Sequence, residues 1–195
     1  MAKRRLFLCG PSGCGKSALI RELLGPALAG AGGFLTERIC APDGRPLGCE
    51  LLPSAAAGGV EGFLPARFLD FSTEPPTRDN EVFRIEAVRL LQEAEYYPFV
   101  LLDEIGGFEM VIPQFRAALA AFLNSSVPCI GVLMSLPDAA ALQRRLGLGD
   151  RYPAFVRQLR AALESDGGTL VLDTTGRGDS AAEQAVRSWA EEYVF

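Results

Sequence analysis

Apolar positions along the chain follow two periods. Leu6–Cys9, "PFVLLDE" from Pro98, "PCIGVLM" (Pro128–Met134) and "TLVLDT" (Thr169–Thr174) are short, nearly unbroken apolar runs. Their length and content predict strands buried on both faces, as in a parallel sheet. Between them lie stretches with helical spacing. Lys16–Leu24 stops at Gly25-Pro26, and Pro113–Asn124 places Phe115, Leu119, Phe122 and Leu123 on one face. Pro137–Leu146 and Pro153–Glu164 are separated by "GLGDRY", and Ser180–Glu192 closes the series. Gly33–Cys40 and Leu47–Leu52 flank the turn signal "APDGRP", which predicts a β-hairpin. Phe63–Phe71 reads as a further strand, while "SAAAGGVEG" (Ser54–Gly62) and "STEPPTRDN" read as loops. Asn80 is the expected cap of a helix through Glu95. Strands alternating with helices predict an α/β fold, three-layered and doubly wound around a mostly parallel sheet, with a β-hairpin excursion after the first helix. There is no internal repeat, and residues 1–195 are expected to form one domain.

Composition narrows the chemistry. The net charge is −5, a poor starting point for non-specific binding to nucleic acid or an anionic membrane. Histidine is absent, which excludes Ser-His-Asp triads, Cys-His dyads and His-based zinc sites together. Five cysteines, an odd number without CxxC spacing, read as free thiols in a reducing compartment. The start "MAKRRLFLCG" holds four apolar residues before Gly10, too few for a secretory leader, and no run is long enough to span a bilayer. A cytoplasmic location follows as the expectation. Lys3 and Lys16 are the only lysines beside many arginines, so Lys16, set in a glycine loop, marks a position where arginine would not serve.

That loop is Gly10, Pro11, Ser12, Gly13, Cys14, Gly15, Lys16 and Ser17, a match to G-x-x-x-x-G-K-[ST] between a predicted strand and a predicted helix. Polyphosphate must be approached by backbone N–H groups, and a Cβ would obstruct both the approach and the turns with positive φ. The helix that follows turns its N-terminus toward the anion, with Ala18 in its first turn. Lys16 would reach the β- and γ-phosphates and Ser17 would ligate Mg²⁺. Cys14 reads as a small side chain that fits the loop. Asp103 and Glu104 end the buried run "FVLLDE", where open α/β sheets place ligands. Asp103 suits the Mg²⁺ site and Glu104 suits a general base for an attacking water. Glu109 fits an acid at a helix N-terminus.

Four stretches in order, "GPSGCGKSALI", "GGFLTERICAPDGRPLG", "LLDEIGGFE" and "TTGRGDS", resemble the THEP-type nucleoside-triphosphatases, a family that includes the cancer-related nucleoside-triphosphatase and prokaryotic relatives. The second carries Gly33, Phe34, Thr36, Glu37, Arg38, Gly44, Arg45 and Gly48 at the family's pattern positions. The resemblance covers nearly the whole chain. It implies a RecA-like P-loop NTPase domain and slow, Mg²⁺-dependent hydrolysis of ATP, GTP, CTP and UTP to diphosphate and phosphate. It also gives Glu109 weight as part of the family's Asp-Glu-Ile-Gly-x-x-Glu. The chain departs from the family at Gly176-Arg177, where relatives carry Asn-Arg, in Ser54–Asn80, and in "GVLMSLPD", which lacks basic residues.

Arg177, at a strand-end loop, is the candidate for stacking on the base. Arg144, Arg145 and Arg151 are candidates for stabilising charge at the γ-phosphate. Two other functions use the same loop. A small-molecule kinase would need an acceptor pocket and a lid that Arg144, Arg145, Arg151 and Arg157 could supply. A nucleotide-dependent accessory protein would read out through a partner. The expected partner is a nucleoside triphosphate, with no nucleic acid or membrane, acting on a monomer.

Overall fold

The computed structural model describes residues 2–195. In chain order, β1 (Arg5–Gly10) leads to α1 (Lys16–Leu24), then β2 (Gly32–Cys40), β3 (Pro46–Pro53), β4 (Ala66–Asp70) and β5 (Thr77–Arg78). There follow α2 (Val88–Gln92), β6 (Val100–Ile105), α3 (Pro113–Leu123), β7 (Cys129–Met134), α4 (Leu136–Leu146), α5 (Tyr152–Ser165), β8 (Thr169–Asp173) and α6 (Ser180–Tyr193). One eight-stranded sheet runs β5-β4-β3-β2-β6-β7-β1-β8. From β2 to β8 the neighbours are parallel, and β2 to β5 form an antiparallel wing. The doubly wound α/β fold and its hairpin excursion are therefore as the sequence pattern predicts.

The unbroken apolar runs are explained by burial on two faces. Along β1, Phe7 and Cys9 face one core while Leu6 and Leu8 face the other. The first core packs β6 and the wing strands beneath α2, α3 and α5, and centres on an aromatic knot of Phe34, Phe68, Phe83, Phe108 and Phe115. The second lies under α1 and α6 around Leu19, Ile20, Val186 and Trp189.

Departures from the sequence reading are local. The strand expected over Phe63–Phe71 contracts to Ala66–Asp70, leaving Phe63 and Leu64 exposed. The "STEPPTRDN" loop contributes the short β5. Residues 54–62 open with a helical turn, Ser54–Gly58, pinned where the buried Ser54 hydroxyl donates to Leu101 O at 2.8 Å. Ahead of α2, Val82–Ala87 is already helical, wound as a π-turn. Its cap is not Asn80: Asp79 Oδ1 accepts from the Glu81 N–H at 2.9 Å, because a turn one residue earlier presents the carboxylate to the free donor. The five cysteines are unpaired thiols. No helix among the described residues is long and apolar enough to cross a membrane.

Candidate functional site

The parallel strands all point their C-terminal ends at one edge of the sheet, where the loops after β1, β6, β7 and β8 meet. The loop after β1 is drawn tight by two glycines. Gly15 caps α1 at φ 100, a left-handed conformation that favours glycine. A Cβ on Gly10 would lie 2.2 Å from Thr174 O, so only glycine lets the loop after β8 close over it. Lys16 is 5% exposed, and its Nζ donates to Gly10 O and Pro11 O, each at 2.8 Å. The loop's own carbonyls thus hold the ammonium at the centre of the turn. Cys14 Sγ stands 3.8 Å from that nitrogen. At the loop's tip the Ser12 N–H donates to Asp138 Oδ2 at 2.9 Å. Ser12, Gly13, Gly15, Lys16, Ser17 and Ala18 line a cleft of about 580 Å³, while Gly10, Pro11 and Cys14 shape the loop from behind.

Across the cleft, β6 delivers its two acids at a register shift in its pairing with β7. The Ser17 hydroxyl donates to Asp103 Oδ1 at 2.7 Å, joining the first turn of α1 to the end of β6. Arg21 Nη2 lies 3.6 Å from Asp103 Oδ2, and its Nη1 reaches Glu37 Oε1 at 3.2 Å. Burial pushes the Asp103 carboxyl up, with Ser17, Arg21 and Lys16 pulling against it. Glu104 is half-buried and faces the cleft. Burial pushes it up to about 7, Lys16 pulls it down, and Asp103, Glu109 and Asp138 add to the rise. Glu109 is in the first turn of a helical segment, as expected, but one of a single turn, whose dipole is small. It lies in the single turn Phe108–Val111, and its Oε1 accepts from the Gly106 and Gly107 N–H groups, both at 2.7 Å. The buried carboxylate therefore clamps the loop that leaves the Asp103-Glu104 pair.

The arginines named from sequence separate. Arg177 is exposed and pairs with Glu22 at 3.0 Å, while its backbone N–H donates to Cys14 O, so it borders the loop from the α1 side. Arg145 lines the cleft, its guanidinium 3.8 Å from the centre of the Phe71 ring. Arg144, Arg151 and Arg157 are exposed and lie outside the cleft lining. Three residues that sequence reasoning assigned no role join the site. Arg21 pairs with Asp103, Asp138 holds the loop's tip, and Arg38 reaches Ser12 Oγ at 3.4 Å. Arg38 had one signal, its place in the "LTERIC" stretch; Asp138 had another, its position just past a buried strand.

The donor set fits Mg²⁺. Ser17 Oγ and Asp103 Oδ1 are hard oxygens already within contact of each other, and the acid is buried with its negative charge only partly offset. Among the described residues, no cluster of three or more Asp, Glu, Cys or His could hold a metal unaided.

A family model described as NTPase matches residues 5–147. Among solved structures, THEP1 from the hyperthermophile Aquifex aeolicus is similar, at 17% identity and a TM-score of 0.53, over 82% of this chain and 99% of that one. At that identity the likeness bears on the fold. No curated protein matches the chain.

Proposed function

Because the chain belongs to the THEP-type NTPase family, we propose that this phosphohydrolase acts slowly, with Mg²⁺, on ATP, GTP, CTP and UTP alike, as a single domain over residues 1–195 in the cytoplasm. The observation that supports this reading most directly is the 2.7 Å contact between Ser17 and Asp103, with Glu104 facing the same cleft. Backbone N–H groups of Gly13 to Ser17 and the α1 N-terminus bind the phosphates. Lys16 exchanges its two loop carbonyls for β- and γ-phosphate oxygens, a stronger, charge-assisted pairing. Ser17 and Asp103 are the residues that would hold Mg²⁺. When bound, the ion neutralises charge on the phosphates. Glu104 orients a water toward the γ-phosphorus and takes its proton as the bond to the β–γ bridging oxygen breaks. Glu109 keeps Glu104 in place through the Gly106-Gly107 backbone. Arg177 offers a stacking surface that any base can use, which supports broad rather than base-selective turnover.

Phosphate release from the four triphosphates, wild type beside Glu104→Gln, tests the reading. The expected result is slow release from all four by wild type and a loss of about 10²–10⁴-fold in the variant, with nucleotide affinity kept. Unchanged turnover in the variant would remove Glu104 as the base.

A further inference from the structure

The cleft holds about 580 Å³, and the half of its lining that comes from the wing strands and the aromatic residues differs in chemistry from the loop half. In this half the half-buried Cys49, Phe71 and Leu142 line the cleft, with the edges of the core residues Phe68, Phe83 and Phe108 between them, mostly aromatic and apolar. Two cations stand over this wall. Arg145 is stacked on Phe71, and Arg38 comes from β2, its guanidinium 3.4 Å from Ser12 Oγ at the junction with the phosphate loop. Neither has a carboxylate within ion-pair distance among the described residues. Burial pushes the Cys49 thiol up, both arginines lie near enough to pull it down, and Cys40 and Glu104 add to the rise. Glu37 and Glu104 line the same cleft without pairing with either arginine, and an arginine pair left without an ion-pair partner beside an aromatic surface is complementary to an anion carried on a planar ring.

Helix α4 runs from the tip of the phosphate loop into this half of the cleft. Asp138, Ala141, Leu142 and Arg145 share the face that lines the cleft. Asp138 touches the loop at Ser12. Arg145 is seven residues further on, about 10 Å along the axis at 1.5 Å per residue. It is held there by Phe71 rather than turned back toward Lys16. The nucleoside of a triphosphate seated on the loop also leaves the other way. The terminal phosphate belongs beside Asp103 and Glu104, so the α-phosphate lies toward Ala18 and the base toward the Arg177 loop, which packs on Cys14.

We propose that the distal half of the cleft is a second binding site, taking a nucleoside monophosphate together with the triphosphate, its phosphate on Arg145 and Arg38 and its base against Phe71 and the aromatic wall. The proposal rests on the reading that the loop holds the triphosphate's phosphates.

AMP, GMP, CMP and UMP are titrated calorimetrically into the whole protein saturated with Mg²⁺ and a non-hydrolysable imido analogue of ATP. Arg145→Ala and Phe71→Leu are measured in parallel, with thermal melts to establish that both fold. The expected result is binding of a monophosphate to the saturated protein, weakened about ten-fold or more in each variant, while the analogue's affinity is kept. Three results would overturn the site: monophosphates that displace the analogue, no binding to the saturated protein, or an Arg145→Ala variant that loses the analogue itself. If the analogue fails to bind wild type, the loop reading falls on its own. Titration into Lys16→Ala then decides the distal site: monophosphate binding that disappears on adding Arg145→Ala upholds it, and no binding overturns it.

Discussion

Glu109 shows how far one side chain can be from its usual chemistry. It is 3% exposed, and burial pushes its carboxyl up to about 7, although the Gly106 and Gly107 N–H groups favour the ionised form. Burial wins because two amide dipoles replace only part of the water a carboxylate loses. The folded value lies above the ordinary 4.5, so the native state holds a proton that the unfolded chain has released. The contribution to stability is complete below about 4.5 and is lost as pH rises through about 7. Glu109→Gln removes that dependence while leaving an amide oxygen to accept from the same loop. Urea unfolding across this pH range is expected to show the wild type losing on the order of 3 kcal/mol relative to the variant. Parallel curves for the two proteins would show that the carboxyl does not titrate there.

Helix α4 sets the cleft's outer wall, and its start is fixed by three local signals. Ser135 Oγ accepts from the Asp138 N–H at 3.2 Å, Pro137 lies in the first turn, and Asp138 puts an acid beside the positive end. Gly147 ends the helix in the left-handed conformation. The same Ser135 hydroxyl donates to Asp138 Oδ2 at 2.6 Å, the oxygen that accepts from Ser12 N–H. One cap therefore ties the helix to the tip of the phosphate loop. Ser135→Ala is expected to cost about 1 kcal/mol, roughly 2–4 °C in Tm. It should also weaken triphosphate binding, since Asp138 loses the group that orients it. A melt and a nucleotide titration on the same variant check both. Lost stability with unchanged affinity would confine Ser135 to capping.

The two cores share one sheet, since alternate residues of β1 serve opposite layers. That shared sheet is why the molecule should unfold as one unit. Trp189, the single tryptophan, reports the α1/α6 layer, where it meets Phe99 edge-on at 6.0 Å and donates to Arg4 O. Near-UV circular dichroism is weighted toward the tyrosines and the aromatic knot as well. The two signals are expected to give coincident transitions, and separated midpoints would divide the chain into independent parts. The loop and Asp103 lie on different elements, so a ligand bridging them stabilises the whole. Mg²⁺ with a non-hydrolysable triphosphate at about 100 times Kd should add about 2.7 kcal/mol, and Lys16→Ala should abolish the gain. A shift that persists in that variant would put the nucleotide elsewhere.

Chemistry that lies within a few consecutive residues can be read directly along the chain. A loop from Gly10 to Ser17 needs its glycines, lysine and serine at fixed spacing, because chain neighbours set the geometry of the turn and of the helix start. The Asp103-Glu104 pair was legible for the same reason, as acids ending a buried strand. Periodicity likewise placed the strands and helices, since burial on one face or two leaves its mark along the chain. The tertiary structure decided the contacts that cross between elements. Arg21 meets Asp103, Asp138 meets Ser12 and Arg145 meets Phe71, because the order of strands brings α1, α4 and β4 around one cleft. Nothing local distinguishes Arg145, which lines the cleft, from its neighbour Arg144, which does not. A helix turns 100° per residue, and only the packed wing of β3 and β4 makes one of the two directions the inside of a site.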